Sequence, residues 1–141
     1  MSIFYCRTSE KYPSKFNTSI SSLGCDPAGK FAIVIHGWQQ NIKSPWVNNL
    51  IRNLTYYRGG CVMFMDYDFF AKRIDYLWLV DQFRPIAAVL WKKLKQFEYE
   101  GYSADNGYMF GFSYGSRLAI EAGYNFGENR LQNIDGKVFN L

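Results

Sequence analysis

The sequence predicts an α/β protein with a mostly parallel sheet and crossover helices, and three observations carry that prediction. Two runs, Phe31-Ala32-Ile33-Val34-Ile35 and Cys61-Val62-Met63-Phe64-Met65, are apolar throughout, as strands covered on both faces are. After each run the apolar positions return at helical spacing. The resulting order of strand, helix, strand, helix requires parallel strands joined by crossovers. At 141 residues the chain suffices for one domain with a core. Residues 1–22 read as an N-terminal extension and 23–141 as the domain.

Taken in order, Ile3-Phe4-Tyr5-Cys6 is one short strand in a stretch that otherwise has no sustained period. Gly24, Pro27 and Gly29 precede the first core strand at Phe31–Ile35, and His36-Gly37 closes it. Ser44-Pro45 opens a helix, the serine as a side-chain cap and the proline at the first position, where no N–H is needed. Val47, Leu50, Ile51 and Leu54 form its apolar stripe, and Gly59-Gly60 stops it. The second core strand, from Cys61, ends at Asp66. Between Leu77 and Phe97 the positions Phe83, Ile86, Ala87, Leu90, Leu94 and Phe97 predict a helix that Pro85 kinks or begins. Tyr108-Met109-Phe110 is a third strand, followed by a helix through Leu118, Ala119 and Ala122 that stops near Gly127. A last strand is expected near Ile134 to Val138.

Charge excludes one class of function. The net charge is +4, and the basic residues are dispersed, with Lys92, Lys93 and Lys95 as the only tight group. These three share a predicted helix with Leu90, Leu94 and Phe97, which makes them the solvated face of an amphipathic helix, so nucleic acid is not an expected partner. No apolar run is long enough to span a bilayer. The stretch Met1 to Arg7 lacks the apolar core of a signal peptide, whereas three cysteines and the sequons at Asn17 and Asn53 point to the secretory route. Cys6, Cys25 and Cys61 lack the close pairing of a zinc site, and no metal or cofactor is expected. A Cys25–Cys61 bridge, both residues flanking core strands, and buried free thiols are the two readings of the cysteines.

The third strand runs into Gly111-Phe112-Ser113-Tyr114-Gly115, with a helical pattern after it. A G-x-S-x-G sequence between a strand and a helix has the context of a nucleophile elbow. The turn would hold Ser113 in a strained conformation with its hydroxyl above the sheet, while Gly111 and Gly115 let neighbouring backbone pass. A serine nucleophile is useful only if N–H donors already face the oxyanion it creates. Tyr114 supplies one donor, at a helix start where the dipole favours negative charge. The second should come from the loop after an earlier buried strand. There Gly37 permits the close turn and the N–H of Trp38 is the candidate.

Together Ile33-Val34-Ile35-His36-Gly37-Trp38, the helix from Ser44, the strand closing on Asp66-Tyr67, and Tyr108 to Gly115 resemble the pancreatic lipase family, within it the insect lipase and A-one-type phospholipase branch. The resemblance covers roughly Phe31 to Gly127. It implies a partial α/β-hydrolase fold and a secreted carboxylic-ester hydrolase acting on triacylglycerol or phospholipid. It implies Ser113 as nucleophile, Trp38 and Tyr114 as oxyanion hole, His36 as orienter of the oxyanion loop, and Asp66 as a structural carboxylate that binds loop backbone. The expected partner is a lipid ester or a lipid interface.

The family's order is Ser, then Asp in a stretch reading approximately D-P-A-G-P, then His. Here Asp26-Pro27-Ala28-Gly29 lies before the first core strand and reads as a turn, and Asp135 is the nearby carboxylate after Ser113. The one histidine is His36. The chain therefore reads as a fragment carrying the nucleophile, with Asp135 as candidate acid and no base. The alternative is a non-catalytic, lipid-carrying member of the same family, as yolk proteins are.

Overall fold

The computed structural model describes residues 3–7, 14–16, 25–127 and 130–137. Six strands form one sheet: β1 (Ile3–Arg7), β2 (Ser14–Phe16), β3 (Phe31–Ile35), β4 (Cys61–Asp66), β5 (Gly107–Phe112) and β6 (Asn133–Lys137), in the order β2-β1-β4-β3-β5-β6. The four strands β4, β3, β5 and β6 run parallel. β1 lies antiparallel to both β4 and β2, so the segment read as an extension adds two strands to the same sheet. The fold is thus mixed α/β with a mostly parallel sheet, consistent with a partial α/β-hydrolase fold.

Both faces of the central strands are covered, which is why their sequences show no polar alternation. On one face Ile33, Ile35, Met63, Met65 and Met109 pack against α3 (Tyr76–Asp81), α4 (Phe83–Tyr99) and α5 (Tyr114–Phe126). On the other, Ala32, Val34, Val62 and Phe64 pack against Val47 and Ile51 of α1 (Pro45–Asn53). α1 continues as a π-helical turn over Leu54–Arg58, and the short α2 spans Asp68–Ala71.

One local expectation changes, and the alternatives for Pro85 resolve to a helix start. Ser44 does not cap α1 with its side chain; its Oγ accepts from the N–H of Asn41 at 3.1 Å and closes the preceding turn instead. The helical stretch from Tyr76 to Tyr99 is two helices, because α3 ends at Asp81 and α4 begins at Phe83. Pro85 lies in the first turn of α4, where a missing N–H costs nothing. Asp75 caps α3 by accepting from the N–H of Trp78 at 3.1 Å. Cys25 and Cys61 form a disulfide with Cα atoms 5.8 Å apart, tying the approach to β3 to the start of β4.

Candidate active site

β5 ends at Phe112 and α5 begins at Tyr114, leaving Ser113 alone between them at φ 56°, ψ −119°. Among the described residues only Gln39 shares a positive φ without being glycine. The conformation turns the chain from strand to helix in one residue, and the structure around it is tight enough to hold it there. The Ser113 N–H donates to the carbonyl of Lys137 at 2.6 Å, and the Ser113 carbonyl accepts from the N–H and Oγ of Ser116 at 2.9 and 2.6 Å.

Three glycines allow the approach of other backbone to this turn. A Cβ on Gly115 would strike the carbonyl oxygens of His36 and Ile35, and one on Gly111 would strike the Gly115 carbonyl. A Cβ on Gly37 would lie 2.9 Å from the Phe112 carbonyl oxygen and 3.1 Å from the Cβ of Ser113. The loop at residues 36–38 is therefore seated directly against the turn. Gly37 donates its N–H to Oε1 of Gln40 at 2.7 Å, and Gln39, at φ 58°, donates its own to the carbonyl of Ala71 at 2.8 Å. The Trp38 indole N–H donates to the carbonyl of Arg73 at 2.7 Å. Among the described residues the main-chain N–H groups of Trp38 and Tyr114 have no acceptor, the latter because it opens a helix.

His36 is fully buried, its ring stacked on that of Tyr67 at 4.0 Å. Nδ1 lies 2.7 Å from the Gly37 carbonyl oxygen and so carries a proton. Nε2 faces the N–H of Tyr67 at 3.0 Å and Oδ1 of Asp66 at 3.3 Å. With both nitrogens committed, His36 braces the loop and is not placed to take a proton from Ser113. The Tyr67 hydroxyl donates to the His36 carbonyl, fixing the same loop from below.

Asp66 accepts from the N–H groups of Asp68 at 2.7 Å and Ile42 at 3.1 Å. Burial pushes its carboxyl up, but hydrogen bonding with His36 and with these two N–H groups outweighs burial, and the group lies below the usual carboxylate range. Tyr114 sends its hydroxyl to the carbonyl of Leu79 at 2.7 Å, and burial raises that hydroxyl well above its ordinary value.

Asp135 is not brought to the serine. It pairs with Phe110, three residues before Ser113 along the parallel strand, or about 10 Å back. Its carboxylate takes the hydroxyl of Tyr108 at 3.0 Å and the side-chain amide of Asn133 at 3.2 Å. Burial first, and then the hydrogen bond and charge of Asp135, push the Tyr108 hydroxyl up to about 12. Asn53 is exposed at the end of α1, and Asn17 lies outside the described residues. The one cluster among them with metal-ligating spacing is Cys6, Cys25 and Cys61, and its disulfide already commits two of the three.

Two contributors to the site were not read from the sequence. Gln40 orients Gly37, and Tyr67 both stacks on His36 and holds its carbonyl. Tyr67 is separated from His36 by 31 positions, and only the pairing of β3 with β4 reveals that they meet.

No family model matches the chain. Over 121 residues it is 27% identical to Lipase member H of Mus musculus, a likeness covering 85% of this chain and 26% of that protein. The chain thus spans about a quarter of the length of the curated relative it matches. The likeness supports a lipase-family relationship.

Proposed function

We propose that this chain carries the nucleophile and oxyanion half of a lipase-like serine hydrolase of carboxylic esters. The observation that carries the reading is the strained Ser113, seated between the Gly37-Trp38 loop and the start of α5. Ser113 Oγ attacks the ester carbonyl, and the tetrahedral oxyanion takes the N–H groups of Trp38 and Tyr114, aided by the α5 dipole. Departure of the alcohol leaves an acyl-serine that water hydrolyses. A base for the serine is needed, and the one histidine of the chain is occupied within its loop.

The lipid character of the ester, triacylglycerol or phospholipid, is supported by apolar side chains exposed on the segment that holds the Trp38 and Tyr114 side chains. Ile74, Leu77 and Val80 are exposed on the segment whose carbonyls hold Trp38 and Tyr114, and Phe69 is exposed just before it. Such a rim suits acyl chains or a lipid interface. The Cys25–Cys61 disulfide and the exposed sequon at Asn53 support a secreted, extracellular protein. Among the described residues no helix is long and apolar enough to cross a membrane.

The test is a serine-directed alkyl phosphonate applied to the natural protein containing this chain, with the adduct mapped by mass spectrometry. The proposal expects the adduct on Ser113 and its loss in Ser113→Ala. An adduct on another serine, with Ser113 unmodified, contradicts it.

A further inference from the structure

The cysteines form a closer group than one disulfide and one bystander. Cys6 pairs with Met63 across β1 and β4, so its side chain shares a sheet face with Met63 and with Cys61 two residues earlier. Cys25 reaches the same buried cluster from the segment before β3. The Cys6 and Cys25 sulfurs lie 3.6 Å apart, and all three sulfurs fall within 4.8 Å of one another. Cys6 is buried and free.

We infer that Cys6, Cys25 and Cys61 constitute a thiol–disulfide exchange site in which Cys25 changes partner between Cys61 and Cys6. The Cys6 thiolate attacks Cys25 Sγ, forming the Cys6–Cys25 bond. The Cys25–Cys61 bond breaks with its electron pair on Cys61 Sγ, which takes up the proton that Cys6 released. One disulfide and one thiol enter and leave, so no outside oxidant is required. Burial pushes the Cys6 thiol up to about 11, which keeps it protonated in the folded chain and makes the exchange slow.

Chain statistics give the site a role in oxidative folding. In the unfolded chain the 19-residue separation of Cys6 and Cys25 closes about threefold more readily than the 36-residue separation of Cys25 and Cys61. The Cys6–Cys25 bond is then the kinetically favoured first bond, and exchange within the assembled sheet passes it to Cys61. Cys61 is the resolving thiol in that direction, and Cys6 is the leaving thiol, taking the bond's electron pair and the proton that Cys61 released and remaining free inside the core.

Trypsin places the three cysteines on separate peptides, which makes the pairing readable. The oxidised natural protein containing this chain is held at pH 8, sampled over hours, quenched with acid, alkylated with N-ethylmaleimide in mildly acidic denaturant and digested without reduction. The inference expects a Cys6–Cys25 cross-linked peptide together with alkylated Cys61, beside the Cys25–Cys61 form. Cys6→Ser should abolish Cys61 alkylation, and oxidised Cys61→Ser should contain Cys6–Cys25. Alkylation confined to Cys6 at every time overturns the inference, as do two free thiols in oxidised Cys61→Ser. If that variant does not fold, the wild-type time course decides alone.

Discussion

Ser113 at φ 56° costs on the order of 1–3 kcal/mol, and the chain keeps it there by packing backbone on both sides. Gly115 is the tightest of these contacts, so Gly115→Ala should destabilise the fold by about 2–4 kcal/mol, because the methyl group meets fixed carbonyls and not a side chain that can move. A denaturant midpoint equal to wild type would contradict that packing. Tyr67→Phe removes one hydroxyl whose acceptor is a buried carbonyl; the expected loss is about 1–2 kcal/mol, read from the same curves. Asp66 gives a pH dependence whose sign is determined. Its carboxyl lies below its ordinary value in the folded chain, so its contribution is fully present above the unfolded value of about 3.9 and disappears as pH falls through the lower folded value. Thermal denaturation should therefore show wild type losing more stability between about pH 5 and pH 2 than Asp66→Asn does. Parallel losses in the two proteins would remove Asp66 from the account.

At the level of elements, Arg58 terminates the π-helical turn and joins three parts of the fold. Its guanidinium donates to the carbonyls of Phe31 and Asn106 at 3.0 and 2.9 Å and to Gln132 Oε1 at 3.0 Å. Arg58→Met keeps the apolar stem and deletes the donors, and should cost about 1–3 kcal/mol by chemical denaturation. The two core strands were legible because β3 and β4 are buried on both faces and their sequences say so without tertiary knowledge. The G-x-S-x-G turn was legible because strand and helix patterns flank it. Pairings were not. Nothing in Ile3–Arg7 tells that β1 lies antiparallel against β4, since a five-residue run fits many edges. Asp135 could not be placed from sequence either, because its level along the sheet depends on the β5–β6 register, which sets it beside Phe110. The Ser44 side chain had two nearby N–H partners to choose between, and the Asn41 turn took it.

For the molecule as a whole, Ser113 and the helix start behind it follow β5 and the loop that faces them follows β3, so the site draws on two crossovers of one sheet. Their convergence at the strand ends is what the parallel topology provides. On the proposed reading, the base for Ser113 is not the one histidine of these residues, whose ring is held within its loop. The 141-residue chain alone should hydrolyse a soluble nitrophenyl ester at close to background, on the order of a million-fold below a complete triad. Robust turnover abolished by Ser113→Ala would show that a base reaches the serine within these residues. In the proposed site the Trp38 and Tyr114 N–H groups aim at the oxygen which becomes negative on attack at Ser113. A crystal structure of the phosphonylated natural protein measures it directly. The phosphoryl oxygen is expected about 2.7–3.1 Å from both nitrogens, and an oxygen directed to solvent with neither N–H in reach would overturn the assignment of the oxyanion hole.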